Sequence, residues 1–364
     1  DYKVTDHERL YVKTDVEIMV DALSILFDEK HTKITAGGNA LQDFKRTIGT
    51  KAYKTFFPRL KFDGDIRDSY KGGFVYVNPK YKGKEIGEGI VLDVNSLYPS
   101  VMRYELLPYG EPKFFEGKYK HDKVFPLYIV FIRCMFELKS NKIPTVQIKN
   151  SFYYSGTEYL HDSDGQIVTL ALTNVDFKLF LEQYNVINLE IFGGFKFRGR
   201  RGIFDNYIDK WSEVKMRSKD EGNAGMYTLS KLMLNSLYGK FGSKPTGKLS
   251  KPYLDDEVVN FVDMAEEERP LVYPPMASFI TSYARNKTIR SAQANYERFI
   301  YADTDSLHLT GHEIPDNLDI DNLKLGYWSL DEVFKNAKYL RAKSYIQTVE
   351  KDGEDLTLVT IAGL

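Results

Sequence analysis

The sequence predicts an α+β fold in which helical stretches and short strands are interrupted by an inserted β-rich module and a second irregular insertion. Three observations point there. Apolar residues recur at helical spacing over 9–30, 203–241 and 273–298. Short β-branched and aromatic runs lie between them, the clearest being two apolar strands around a polar tip at 299–309. From 106 to about 201, strand-like runs alternate with Gly, Asn and Asp turns, and 242–275 is a second irregular stretch. The chain has 364 residues, 43% apolar and 28% charged. At roughly 150 residues per domain this suggests two or three lobes, and the composition excludes disorder, collagen and disulfide scaffolds.

In chain order, Leu10, Val12, Val16, Met19, Val20, Leu23, Leu26 and Phe27 mark the first helix. Gly37-Gly38 punctuates a loop, a second helical stretch runs toward Phe57, and Pro58 to Asp68 is turn-rich. Phe74–Val77 and Ile90–Leu92 are strand candidates, and Tyr128–Phe136 is the clearest strand of the first insertion. Helix returns over 203–241 and again from Tyr273 to Arg298, after the pair Pro274-Pro275. The chain ends in strands near Ile346 and Leu358.

No apolar run approaches the 18 or so residues of a membrane helix, and no signal peptide is visible. The single Cys134 fits a reducing compartment. The chain opens on Asp1 with a helix in full stride by residue 8, giving the expectation of a piece of something longer. Net charge is −1. Its distribution is uneven: 193–251 hold 13 Lys/Arg against 5 Asp/Glu, and 254–269 hold 7 acidic residues and one Arg. Segregation of this kind can build a cationic groove in a neutral protein, or simply a solvated face.

Three constellations carry chemistry. In Gly89–Ser100 an apolar strand ends on Asp93 and turns into a helix with Pro99 near its first turn. A carboxylate there, beside backbone N–H groups, suits a metal-bound polyphosphate, though it also suits a helix cap. In Phe299–Leu309 the polar tip carries Asp303 and Asp305, which on an extended chain share one side and repel unless a cation lies between them. Turn aspartates are the plainer alternative. In Lys231–Gly242, Lys231, Asn235 and Tyr238 fall on one helix face, opposite an apolar stripe of Met226, Leu229, Met233 and Leu237. The polar face offers a cation, an amide and an aromatic platform, or a surface lysine helix.

In their order these strings resemble motifs A, B and C of family B DNA polymerases: Asp93-Val94-Asn95-Ser96-Leu97-Tyr98-Pro99-Ser100, then Lys231 with Asn235-Ser236-Leu237-Tyr238-Gly239, then Tyr301-Ala302-Asp303-Thr304-Asp305-Ser306. Tyr70-Lys71-Gly72-Gly73 resembles the Tyr-x-Gly-Gly template-contact element, and Lys343-Ser344-Tyr345 the Lys-x-Tyr primer-terminus element. The two insertions match in place the terminal-protein regions of the protein-primed bacteriophage subgroup.

That resemblance implies a right-hand polymerase with a palm of antiparallel sheet and helical fingers. Its divisions would be an exonuclease remnant at 1–35, palm at 36–104, terminal-protein region 1 at 105–202, fingers at 203–241, terminal-protein region 2 at 242–274, and palm again at 275–364, with no thumb. Asp93, Val94 and Asp305 would hold two Mg²⁺ (Mn²⁺ substituting) about 3.5–4 Å apart, with Asp303 as an accessory carboxylate. Tyr98, Lys219, Lys231, Asn235 and Tyr238 would contact the nucleotide, Tyr98 by excluding a ribose 2′-hydroxyl. Ser96, Tyr70, Gly72, Gly73, Thr304, Lys343 and Tyr345 would contact DNA. The implied partners are template-primer DNA, dNTPs and, in a full-length form with strand displacement, a terminal priming protein. The implied setting is a monomer in the cytoplasm of an infected bacterium.

The sequence also departs from the family. Tyr11 and Asp15 resemble part of the third exonuclease motif, but proofreading needs more carboxylates on one centre, so exonuclease activity is not expected. Asp15-Val16-Glu17 imitates another exonuclease motif but sits mid-helix, where i and i+2 diverge. Tyr227 stands one turn before Lys231, where a second basic residue might be sought. The rivals are a palm-type nucleotidyl cyclase, which needs no Lys/Tyr helix, and a non-catalytic fragment that binds DNA or the terminal protein.

Overall fold

The computed structural model describes residues 5–361, apart from 29, 34, 62, 149–158, 245, 248–249, 256–257 and 269–271. Helices lead: α1 (Asp6–Asp28), α2 (Ala36–Ile48), α3 (Thr50–Phe56) and α4 (Asp63–Arg67). The helical stretch expected toward Phe57 is therefore broken, at Gly49, whose φ of 82° no continuing helix accepts. Strands β1 (Val75–Val77), β2 (Glu85–Ile86) and β3 (Gly89–Val94) follow, then α5 (Leu97–Tyr104). Next come β4 (Leu107–Glu116), β5 (Leu127–Leu138), β6 (Val168–Thr173), α6 (Asn174–Gln183) and β7 (Tyr184–Arg200). Two helices, α7 (Asp205–Asp220) and α8 (Ala224–Phe241), precede the short strands β8 (Thr246–Gly247), β9 (Ser250–Asp255), β10 (Val258–Asp263) and β11 (Glu267–Glu268). The chain closes with α9 (Pro274–Ala294), β12 (Phe299–Asp303), β13 (Ser306–Thr310), β14 (Trp328–Arg341), β15 (Ser344–Lys351) and β16 (Glu354–Ile361).

The main sheet is antiparallel, in the order β1-β12-β13-β3-β14-β15-β16, with β2 added against β14. Alternation along β3 sorts its two faces. Ile90, Leu92 and Val94 join a core with α2, α5, α7, α8 and α9, while Val91 packs with Tyr301, Phe334, Tyr339 and Val349. Asp93, half-buried near the end of the strand, lies within electrostatic reach of Lys231 on α8. α9 is buried along nearly its whole length, which explains its Ala, Ser and Thr content: small side chains let sheet and helices close on it from several sides.

The stretch after α5 builds its own antiparallel sheet, β4-β7-β5-β6, with a separate core around Val130, Ile132, Phe136, Phe180 and Tyr184. Within 242–273 the described residues form only two-stranded pairs, β9 with β10 and β8 with β11. No helix of the described residues is long and apolar enough to cross a membrane.

Candidate active site

The site grows from one register. β3 lies between β13 and β14, pairing Asp93 with Ser306 on one side and Ser329 on the other. The Val94 N–H donates to the Asp305 carbonyl at 2.8 Å, so the hairpin tip is clamped to the strand that carries Asp93. The tip is tight. Asp305 N–H donates to Asp303 O at 2.7 Å, and Thr304 is left-handed, at φ 61°. That conformation strains a β-branched residue, and its neighbours hold it there: Thr304 N–H donates to Phe74 O at 2.7 Å, and Thr304 O accepts from the Thr288 hydroxyl at 2.7 Å.

The two aspartates expected to face each other across a cation are held differently. Asp303 is paired within the fold: Lys343 Nζ lies 2.7 Å and 2.8 Å from its carboxylate oxygens, and the Tyr301 hydroxyl donates at 3.2 Å. The extended-chain rule fails because Thr304 breaks the extension. Lys343, expected at DNA, thus has its ammonium on Asp303, and its own N–H donates to the Tyr301 hydroxyl at 3.0 Å. Tyr345 follows on β15, stacked on Tyr339 at 5.1 Å between ring centroids.

The carboxylates that confront each other are Asp93 and Asp305. Burial first, then the charges of Asp305 and Asp331, push Asp93 up to about 7, while Lys231 pulls the other way. Asp305 is raised too, mainly by burial. Two half-buried carboxylates, the charge of Asp305 raising Asp93, are a poor arrangement alone and a good one for a divalent cation. Their oxygen-only donors suit Mg²⁺ or Mn²⁺, and Val94 has only its main-chain carbonyl to add. No cluster of three or more His, Cys, Asp and Glu able to hold a metal exists among the described residues.

Opposite them stand α5 and α8. Ser96 caps α5 in the left-handed region, at φ 52° with no side-chain cap bond. Tyr98, the second residue of α5, stacks on Tyr238 with centroids 3.8 Å apart and planes 22° off parallel. Lys231 and Asn235 are exposed on α8 and Tyr238 is half-buried, while Ser230, Met233, Leu234, Leu237 and Phe241 turn inward. Met226 and Leu229, assigned to the stripe, are only half-buried. The Lys231 ammonium sits 5.6 Å above the Tyr227 ring, so the residue found where a base might stand supports the lysine. From α7, Lys219 is exposed, and Lys215 is half-buried with its pKa lowered by burial and then by Lys231 and Lys219. Lys215 escaped the sequence reading. It lies one turn after the buried Trp211, a position where burial predicts an apolar residue, and that mismatch was the available signal.

The segment Tyr70–Gly73 is fastened beneath the site. Arg285, only 4% exposed, donates from Nη1 to the carbonyls of Lys71 and Gly72, both at 2.8 Å, and from Nη2 to Asp176 at 2.6 Å. Gly73 is required by crowding: a Cβ would lie 2.6 Å from the Thr304 hydroxyl. Gly242 likewise leaves room for the Tyr70 ring, which a Cβ would meet at 2.5 Å. Tyr11 and Asp15 stand one turn apart on exposed α1.

The comparisons place the chain among known polymerases. Residues 1–322 match the family described as DNA polymerase type B, organellar and viral. The DNA polymerase of Bacillus phage phi29 is 50% identical over 97% of this chain, and that of Streptococcus phage Cp-1 is 36% identical over 97%. The fold superposes on a solved structure of phi29 DNA polymerase with primer-template DNA and incoming nucleotides, at a TM-score of 0.92 and 47% identity over all of this chain. The match spans 62% of the phi29 relative, 64% of the Cp-1 relative and 66% of the solved chain. The chain belongs to the type B DNA polymerase family, organellar and viral, with phi29-like phage enzymes among its relatives.

Proposed function

We propose that this chain carries the nucleotide-adding centre of a template-directed DNA polymerase, transferring the nucleotidyl group of a dNTP to a primer 3′-hydroxyl or to a protein primer. One observation carries it: the hairpin tip is clamped to β3 so that Asp93 and Asp305, from chain segments 212 positions apart, share one partly buried site within reach of Lys231 on α8. Two divalent cations held there would activate the 3′-hydroxyl and neutralise the leaving pyrophosphate. Asp93 and Asp305, with the Val94 carbonyl, are the holders.

Lys231, with Lys215 and Lys219, supplies the fixed positive charge that a triphosphate needs at its far end. Lys343 pairs with the Asp303 carboxylate while about half of its side-chain surface stays exposed, open to a primer strand. Tyr98 on Tyr238 forms a flat wall against which a deoxyribose can lie and a 2′-hydroxyl cannot. Tyr70 to Gly73, Ser96 and Thr304 line the strand-facing side, with Asn235 beside the nascent pair. Likeness to phi29-type enzymes supports template-primer DNA, dNTPs and a terminal priming protein as partners, and the relatives' phage origin supports an infected bacterial cell as the setting. Primer extension with Mg²⁺ tests the proposal: parent protein lengthens a primer, and a single Asp93→Ala or Asp305→Ala change removes the product.

A further inference from the structure

The basic stretch noted in the sequence is not one groove. Part of it gathers at the polymerase centre, where Lys231 acts on Asp93 and Lys215 and Lys219 lie near Lys231. Another part lies elsewhere, on β7. Lys196, Arg198 and Arg200 alternate along that strand and therefore share one face, roughly 6.6 Å apart in single file. Lys113 of β4 pairs in register with Lys196. Their heads crowd two aromatic rings. Lys113, Lys196 and Arg198 lie 4.9, 5.6 and 5.5 Å from the centroid of Phe125, and Arg200 lies 5.2 Å from that of Phe56. Phe125 is itself buried.

Charge compensation is incomplete. Asp122 binds Lys196 at 2.7 Å, but among the described residues no carboxylate pairs with Lys113, Arg198 or Arg200. All three are exposed. Rings beneath fix the heads in place, so they cannot relax apart as free surface lysines do. A row of fixed, uncompensated cations calls for an anionic partner of matching repeat. One phosphodiester strand has it, whereas duplex DNA would present two backbones to a single file. The row also leads to the site: Arg201, next after Arg200, donates to the Tyr104 carbonyl at the end of α5, a helix about 12 Å long that begins beside Tyr98.

We propose that Lys113, Arg198 and Arg200, on the outer face of β4 and β7, form a binding track for a single nucleic-acid strand outside the polymerase centre. It adds a contact to the polymerase function proposed above. The test is the salt dependence of binding to a 20-nucleotide oligo(dT), for the parent and for the triple variant K113A/R198A/R200A. Each lost phosphate contact removes about 0.7 from the slope of log affinity against log salt, so the slope drops by about 2. From about 50 to about 200 mM NaCl the parent then loses roughly twenty-fold more affinity than the variant.

The charge-retaining variant K113R/R198K/R200K keeps the parental slope if the heads act as cations. Packing alone would instead show as a lower melting temperature with the slope unchanged in either variant, and that result overturns the proposal. A drop of the same size on a blunt 20-base-pair duplex overturns the single-strand assignment. Primer extension at low salt on a short-overhang template is expected to be unchanged in the alanine variant. If the parent extends nothing, the polymerase proposal fails, and the oligo(dT) slope still decides the track.

Discussion

Asp93 is the residue on which stability and chemistry pull apart. Its carboxyl is raised to about 7 in the fold against an ordinary 3.8, so the folded state holds its proton more tightly than the unfolded chain. Stability from this group is present below about 4 and is lost as pH rises toward 7. In metal-free buffer at pH 7.5, Asp93→Asn should therefore raise the melting temperature, by an amount on the order of 1 kcal/mol once solvent exposure is allowed for. Mg²⁺ should stabilise the parent more than the variant. A variant that melts below the parent without metal would show that Asp93 is not held under strain. Tyr98 supports a second test. Tyr98→Val removes a stacked pair worth roughly 0.5–1.5 kcal/mol, a small loss, yet should raise ribonucleotide incorporation markedly. A loss of several kcal/mol with an unchanged dNTP/rNTP ratio would make Tyr98 a packing residue only.

Among the elements, α9 ties the inserted sheet to the site. Arg285 reaches Asp176 at the start of α6 with one nitrogen and the Lys71 and Gly72 carbonyls with another, while the Ser282 hydroxyl also donates to Asp176, at 2.5 Å. Breaking a buried pair by removing one partner costs about 3–5 kcal/mol. Asp176→Ala and Arg285→Ala should each fall in that range by urea unfolding, and the double variant should cost far less than their sum. Additive losses would contradict a shared network. Such links were illegible in the sequence because they are long-range: Arg285 and Asp176 are 109 positions apart, and Lys343 and Asp303 are 40. Local periodicity revealed the first helix and the 299–309 hairpin, and helix over 203–241 but not its break at Gly222, whose φ of 68° ends α7. It could not reveal which charge Asp303 would meet, nor that the cation crowding Lys231 would be Lys215, because side-chain partners are chosen by packing.

For the molecule as a whole, an expected acid sensitivity has its source under the 299–310 hairpin. His308 is fully buried among Tyr301, Tyr339 and Tyr345, bonded to the Tyr339 hydroxyl at 2.8 Å, and burial lowers its pKa from 6.5 to about 3. Its neutral form belongs to the fold and its charged form to the unfolded chain. Stability is complete above about 6.5 and falls as pH drops toward 3, at about 1.4 kcal/mol per unit from this group. Unfolding between pH 6.5 and 5 should thus lose roughly 2 kcal/mol, and His308→Gln should flatten that dependence. An equal slope in the variant would move the cause elsewhere.

Single-turnover extension of a primer by one nucleotide, with Mg²⁺ and with circular dichroism to verify folding, puts the Asp93–Asp305 pair to the test. Asp93→Ala and Asp305→Ala should each cut the rate thousands-fold, several kcal/mol of transition-state stabilisation, while Asp303→Ala, whose partner is Lys343, should lose less. Near-parental rates in a folded Asp93→Ala or Asp305→Ala protein would contradict the assignment of that pair as the catalytic carboxylates.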